Sequence, residues 1–199
     1  MMFDIQISER IKEYCENEVK KYNFGKRGHS NGTPEQQLRG IVAQSVVQDE
    51  CGFPLIDGSA GFDGGEDMKI GDYVCDIKTM KRTVAPRIKG YVGNFPQCQI
   101  SYNTDVYIFT STNVNNNILT VVGWIPKDEF LEKADLFKKG MMRNRTNGTE
   151  YETPFDNYEI GYKYLRIVYD SDHMMNQIYM GWKPHLGGEP TTNRAKLQV

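Results

Sequence analysis

The sequence predicts an α/β sandwich, an α+β arrangement in which a central mixed β-sheet is flanked by helices. Two helical patterns come before residue 51, and four segments with strand patterns follow between residues 67 and 125. A further helical pattern starts directly after these strands. Helices before and after a central run of strands are expected to cover one sheet, and this sheet is expected to begin with a hairpin.

The length and composition indicate one ordinary globular domain. A chain of 199 residues is long enough for one sizeable hydrophobic core but short for two, so we expect a single domain over 1–199. Hydrophobic residues make up 39% and charged residues 25% of the chain, a balance that excludes a disordered or fibrous protein. The sequence has no long apolar run, no signal-peptide pattern and no C-x-x-C pair. We therefore expect a cytoplasmic protein with no membrane contact and no structural zinc.

Two helices are expected at the start of the chain. In residues 5–22 apolar side chains recur every three or four positions, and Ser8 is a candidate N-cap. The second helix is expected from Pro34 to about residue 50. It starts at the run Thr33-Pro34-Glu35-Gln36, which supplies an N-cap, a proline at the first helical position and a glutamine that can complete a capping box.

Strand patterns follow a glycine-rich loop, at residues 67–70, 73–80, 105–112 and 118–125. A helix is expected at about 127–137, and the last candidate strand covers residues 162–169. From Asp170 onward the sequence is mostly polar and is interrupted by glycine and proline. We expect residues 170–199 to form a surface tail or an interface.

The dipeptide Gly71-Asp72 joins the first two strands in a tight hairpin, because glycine at the first turn position permits a positive φ. A two-residue turn sets the register of the pairing, which places Asp67 directly opposite Asp76. Because side chains alternate along a strand, Asp76 and Lys78 share one face, and the pairing puts Asp67 on the same face.

Two opposed carboxylates have Cβ atoms roughly 4.5–5.5 Å apart, and like charges at that distance destabilise a sheet. Lys78 can offset one charge, but the pair is also an oxygen-ligand site for Mg²⁺ or Mn²⁺, completed by the backbone carbonyl of Ile77. Phosphodiester hydrolysis needs a divalent ion that activates water and an ammonium group that positions this water or stabilises charge. The alternative is an exposed hairpin whose charges are only solvated, because the D-x₈-D-x-K pattern alone is weak.

The residues Asp67 and Asp76-Ile77-Lys78, after a helix and before a basic stretch, resemble the PD-(D/E)xK nuclease superfamily, which has the restriction-endonuclease-like fold. The resemblance covers roughly residues 30–125, and beyond the hairpin it rests on the order of elements. It implies a core of helix, three-stranded meander, helix and strand. It also implies a Mg²⁺-dependent DNA endonuclease that hydrolyses phosphodiester bonds by metal-activated water, with Asp67 and Asp76 as metal ligands and Lys78 as the catalytic lysine.

Two positions depart from the superfamily pattern. Glu66 stands where many members have proline, at a position that varies. Many members also carry a helix glutamate that points at the metal, and alignment places Gln44 there, with Glu35 as the alternative. The other role of Glu35 is a favourable interaction with the helix dipole. Asp63, in the glycine-rich loop, is either an additional ligand or a turn residue.

Basic residues follow the hairpin with no acidic residue among them as far as Lys89. Such a stripe can neutralise the phosphates of a nucleic acid although the net charge of the chain is −2. A run of basic residues that only contacts solvent is an equally good interpretation. The residues expected to contact the DNA backbone, with little sequence specificity, are Lys81, Arg82, Arg87 and Lys89. Cutting both strands of a duplex requires two sites, so a homodimer is expected, with the Met-rich C-terminal segment as a candidate interface.

Two further observations bear on function. The run Gln99-Ile100-Ser101-Tyr102 resembles the Q-x-x-Y element of RecB-like nucleases but is too short to assign a role. The rival interpretation is a catalytically inactive module with the nuclease fold, in which Gln44 marks a lost metal site and the protein binds DNA or a protein partner.

Overall fold

A computed structural model describes residues 2–24, 32–61, 64–144 and 148–181, and these contain ten strands and four α-helices. The helices are α1 (Glu9–Lys21), α2 (Pro34–Glu50), α3 (Lys127–Lys133) and α4 (Ser171–Tyr179). The strands are β1 (Phe3–Gln6), β2 (Met68–Ile70), β3 (Tyr73–Arg82), β4 (Val92–Pro96), β5 (Val106–Asn113), β6 (Ile118–Pro126), β7 (Asp135–Phe137), β8 (Met142–Asn144), β9 (Glu150–Glu152) and β10 (Asn157–Gly161).

Five of the strands form a mixed central sheet in the order β1-β6-β5-β3-β2. Strand β3 pairs antiparallel with β2 and parallel with β5, and the other pairs in this sheet are antiparallel. Every residue of β5 is buried, because alternate side chains enter the cores on the two faces of the sheet. The predicted mixed sheet with flanking helices is confirmed at the level of the general α+β class.

The first face of the sheet is covered by helices α1, α2 and α4. Their buried apolar side chains form one cluster with Ile77 of β3 and Ile108 of β5. The opposite face is covered by α3 and by a second, three-stranded sheet in the order β4-β10-β7. Three rings hold these layers together, since Phe95 of β4 lies 4.6 Å from Tyr107 and 5.3 Å from Phe130, measured between ring centres.

The predicted hairpin is confirmed, and its register is confirmed for the residues from Met68 to Ile70, whereas Asp67 lies one residue before the paired strand. Met68 pairs with Cys75 and Ile70 with Tyr73, and Gly71 has a φ of 60°, as the tight turn requires. The start of α2 is also confirmed. The Thr33 side chain accepts a hydrogen bond from the Gln36 N–H at 3.2 Å, and the Gln36 side chain accepts one from the Thr33 N–H at 2.8 Å.

The first predicted helix starts later than expected. Ser8 is its N-cap, as predicted, but α1 begins at Glu9, and residues Phe3–Gln6 form a strand at the edge of the sheet. Apolar residues at Phe3, Ile5 and Ile7 alternate with period two, and this short alternation merges into the helical spacing that follows. The antiparallel pairing of residues Phe3–Gln6 with β6 gives this segment the strand conformation.

The strand predicted at 162–169 is wrong. Residues Tyr162–Tyr164 form a 3₁₀ turn, and Arg166 makes a single bridge to Trp124. The buried apolar residues are Tyr162, Leu165 and Val168, which are three positions apart and therefore fit a turn better than an alternating strand. The helix expected at 127–137 ends at Lys133. The last three residues of the expected range form the strand β7.

The segment predicted as a C-terminal tail contains α4. Asp170 caps this helix, and Met174 and Ile178 are buried in the first core. Helix α4 therefore packs on the core with one face and is not a loose surface tail, and Met174 is not available for an interface. Residues 182–199 lie outside the described part of the chain. None of the described helices is long and apolar enough to cross a membrane.

The superfamily core is matched in part. A helix, a hairpin and a parallel strand follow one another as α2, β2–β3 and β5. Strand β2 is an edge strand, so the described residues give this sheet a hairpin where the superfamily has a three-stranded meander. The connection from β3 to β5 contains β4 and a 3₁₀ turn at Gln97–Gln99 where the superfamily has a helix. The restriction-endonuclease-like core therefore stays a prediction.

Loss of the capping box should weaken α2 and with it one wall of the cleft described below. We expect Thr33→Ala to lower the free energy of unfolding by about 1 kcal/mol, since the side-chain acceptor for the Gln36 N–H is lost. The corresponding fall in melting temperature is about 2–4 °C. Thr83→Ala, at an exposed position outside the helix, is the matched control and should leave the melting temperature unchanged. An equal fall in both variants would contradict the role of the cap.

Candidate active site

A cleft with a volume of about 390 Å³ lies between α2, the β2–β3 hairpin and two loops, at residues 53–57 and 99–102. The three residues predicted as the catalytic centre, Asp67, Asp76 and Lys78, all line this cleft. Gln44 and Ile77 line it as well. The structure therefore brings five of the predicted site residues to one place, although they come from helix α2, from β3 and from the residue before β2.

Asp67 is held by hydrogen bonds to both walls of the cleft. Its N–H donates to the carbonyl of Cys75 at 3.0 Å, although Cys75 is the ladder partner of Met68 and Asp67 itself lies one residue before β2. Its Oδ2 accepts from the N–H of Ile77 at 2.6 Å. Its own carbonyl accepts from the side-chain amide of Gln48 at 2.7 Å and from that of Gln44 at 3.5 Å. The hairpin and the helix are thus joined at this residue.

Asp76 and Lys78 form a close ion pair in which the ammonium Nζ lies 2.6 Å from Oδ1 of Asp76. Asp76 is only 2% exposed, so its charge is largely removed from water. The ammonium of Lys78 also lies 5.2 Å from the centre of the Phe95 ring, a distance at which a cation is attracted to the ring face. These contacts hold a positive charge inside the cleft.

Tyr107 lies beside Asp76 on the neighbouring strand, in register with it. Burial raises the pKa of this phenol, and the negative charge of Asp76 raises it further. Tyr107 therefore stays protonated over the physiological range and cannot add a second negative charge next to Asp76.

The helix wall carries a residue that the sequence analysis missed. Gln48 lies one turn beyond Gln44 on the same face of α2, and both side chains are more than nine-tenths buried. The Oε1 atom of Gln48 is buried and has no hydrogen-bond partner within the described ranges. The i, i+4 spacing of the two glutamines was visible in the sequence, but only the packing of α2 on β3 shows that both reach Asp67.

One of the two alternative ligands, Glu35, is exposed and lies outside the cleft. Its carboxylate forms ion pairs with Arg39 at 2.7 Å and with Lys81 at 2.8 Å. The hydrogen bond from Lys81 lowers the pKa of Glu35. Asp63 lies outside the described residues, so its role stays a prediction.

The predicted DNA-binding residues lie outside the cleft. Lys81, Arg87 and Lys89 are exposed, whereas Arg82 is half-buried. The guanidinium of Arg82 donates to the carbonyl of Val92 at 2.9 Å and lies 4.3 Å from the centre of the Tyr91 ring. Arg82 therefore ties β3 to β4.

The oxygen atoms of the cleft suit a hard divalent cation. Two carboxylates, Asp67 and Asp76, and the buried amide oxygen of Gln48 are the donor type that Mg²⁺ and Mn²⁺ prefer. Within the described ranges, no group of three or more His, Cys, Asp or Glu side chains is placed to hold a metal ion. In the described part of the helix wall the amide of Gln44 stands where the resemblance predicts a carboxylate, and water would have to complete the coordination of a metal.

The chain matches no protein-family model, no curated protein and no solved structure. The resemblance to the PD-(D/E)xK superfamily therefore rests on the hairpin residues and on the order of elements, and it stays a prediction.

The thiols are expected to report on the packing around the hairpin. Burial raises the pKa of Cys75, directly before Asp76, to about 12 and that of Cys51 to about 12, so both thiols stay protonated and unreactive near pH 8. Cys98 is exposed. We expect a thiol-reactive chromophore to label one cysteine rapidly in the native protein and four in denaturant. Cys98→Ser should remove the rapid phase, and rapid labelling of Cys75 in that variant would show that the hairpin is not packed as described.

Proposed function

We propose that the protein is a divalent-metal-dependent DNA endonuclease that hydrolyses phosphodiester bonds in this cleft. The observation that carries the proposal is the buried ion pair between Lys78 and Asp76, with Asp67 held at the same cleft by hydrogen bonds from both walls. Perturbed or buried charges in a cleft are typical of functional sites.

The residues present fit a metal-dependent reaction. A Mg²⁺ or Mn²⁺ ion held by Asp67, Asp76 and the carbonyl of Ile77 would supply Lewis-acid chemistry at the phosphoryl oxygen and a more acidic water. The hydrogen bonds from Ile77 N–H and Gln48 orient the carboxylate and the backbone of Asp67 before any substrate binds. Asp76 keeps its position through the contact with Lys78.

Lys78 has two roles that this geometry supports. Its ammonium can donate a hydrogen bond to the attacking water and fix its direction, or it can donate to a phosphoryl oxygen where negative charge develops. The side chain is only 18% exposed, so few water molecules screen this charge. Both roles require the ammonium group, and a neutral side chain of similar length cannot replace it.

The exposed basic residues at the end of β3 and in the segment after it would contribute the phosphate contacts. Lys81, Arg87 and Lys89 are exposed, and the ion pair of Lys81 with Glu35 lies in solvent, where such pairs are weak and phosphate can displace the carboxylate. Cleavage of both strands of a duplex would also require a second copy of the site, so the homodimer remains part of the proposal.

The test compares variants within the hairpin. We expect the wild-type protein with Mg²⁺ or Mn²⁺ to cleave at least one substrate among supercoiled, linear, single-stranded, branched and modified DNA. Lys78→Met should lower the rate by 10² to 10³-fold, on the order of the loss of one preorganised charge donor. Lys69→Met is the matched control, since Lys69 is on the same hairpin but exposed and outside the cleft. Absence of cleavage on every substrate, or equal rates in both variants, would refute the enzyme.

Metal binding separates the enzyme from the inactive module. We expect calorimetry without DNA to show Mn²⁺ binding to the wild-type protein and to Asp72→Asn, whose substitution lies in the exposed turn of the hairpin. Asp76→Asn should lose this binding because one of the two carboxylates is gone. DNA binding without Mn²⁺ binding and without cleavage would favour the catalytically inactive module.

A further inference from the structure

We infer that the cleft takes the base of one unpaired nucleotide, so that the preferred substrate is single-stranded or frayed DNA and not closed duplex. The inference rests on the proposed function only for the position of the scissile phosphate, beside Lys78 and Asp76. The base would lie farther along the cleft, between α2 and the loop that carries Tyr102.

The walls of the cleft away from the ion pair suit a base better than a phosphate backbone. Among the described residues, half-buried aromatic rings from Phe24, Phe53 and Tyr102 line the cleft. Stacking on such rings is how proteins hold unpaired bases, whatever their sequence. Lys78 is the one basic residue among the described residues that line the cleft, so the stretch beyond it offers few partners for further phosphates.

Amide side chains supply the polar part of this surface. In the part of the chain that the structure describes, five glutamines line the cleft, at positions 36, 37, 44, 48 and 99. Gln99 is 7% exposed, and its Oε1 is buried without a hydrogen-bond partner within the described ranges. Buried polar atoms are rarely left unsatisfied in a folded protein, and an amide can both donate to and accept from the edge of a base. A bound base would therefore supply the hydrogen-bond partner that the side-chain oxygen of Gln99 lacks within the described ranges.

Helix α2 leaves room for this base. Gly40 lies in the middle of the helix and lines the cleft, on the face that also carries Gln37 and Gln44. A Cβ at this position would meet no atom within 4 Å. Glycine weakens the interior of a helix, and packing does not require it here, so the open space on this face is consistent with a ligand that approaches the helix backbone.

The size of the cleft limits what can enter it. A volume of about 390 Å³ is at the lower end of the range for pockets that hold one small molecule. One nucleotide fits such a space, whereas a base that is paired and stacked in a duplex cannot reach its walls. Duplex DNA would have to fray or release a nucleotide first, and single strands, flaps and open ends avoid that requirement.

The first experiment measures binding without chemistry. In the presence of EDTA, fluorescence anisotropy compares a labelled single strand, a strand of the same length with abasic sites, and the blunt duplex. We expect the single strand to bind about tenfold more tightly than the abasic strand, on the order of one stacked base. It should also bind more tightly than the duplex. Equal affinity for the normal and the abasic strand would overturn the inference.

Variants locate the base within the cleft. Tyr102→Leu should lose about tenfold in affinity for the single strand but not for the abasic strand, and Tyr102→Phe should restore most of the loss. Tyr164→Leu, at an exposed position outside the cleft, is the matched control. Gly40→Ala and Gly40→Leu form a graded pair in which the larger side chain should block the base while the helix is kept. Unchanged binding in folded Tyr102→Leu and Gly40→Leu would overturn the inference.

The outcomes for the two proposals are distinct. If binding in EDTA depends on the base but no metal ion supports cleavage, the inferred binding of an unpaired base stands and the proposed endonuclease activity is refuted. If closed duplex is cleaved at the same rate as single strands, the proposed endonuclease activity stands and the inferred preference for an unpaired nucleotide is refuted. Circular dichroism establishes whether each variant is folded, and the abasic comparison uses the wild-type protein alone.

Discussion

The hydrogen bonds around Asp67 are the constraint on which the rest of the site depends, because they join the hairpin to helix α2. The carboxylate accepts from the Ile77 N–H at 2.6 Å, and the carbonyl accepts from Gln48 at 2.7 Å. Backbone groups at a partly buried position need partners, so these bonds favour one arrangement of the two walls. The position of the cleft follows from this arrangement, since α2 forms one side and the hairpin the other.

Stability alone does not explain the pair formed by Asp76 and Lys78. Both charges lie on a strand packed between two layers, and Asp76 is 2% exposed. Removal of water from two charges offsets most of their attraction, and apolar residues of similar size often stabilise a protein equally well. Loss of one partner alone is far worse, because it leaves a buried charge unpaired. Its place at the wall of the cleft therefore supports the proposed function.

Part of this architecture was open to prediction because its signals are local. The turn at Gly71-Asp72 and the alternation on either side of it are enough to define the register of the hairpin. The capping box at Thr33 marks the start of α2 in the same way, within four residues. The second sheet had no such signal. Its strands β4, β7 and β10 have three to five residues each and come from distant parts of the chain, so their pairing depends on contacts such as that of Phe95 with Tyr107.

By itself the sequence determined the hairpin, its pairing from Met68 to Ile70, and the shared face of Asp76 and Lys78, because strand geometry and turn chemistry act between near neighbours. Only the tertiary structure decided which other residues join them. Gln48 reaches Asp67 because of the way α2 packs on β3, and Gln99 and Tyr102 reach the same cleft because of the path from β4 to β5. Contacts between residues so distant in the sequence depend on how the layers of the fold pack together. No short stretch of sequence contains that information.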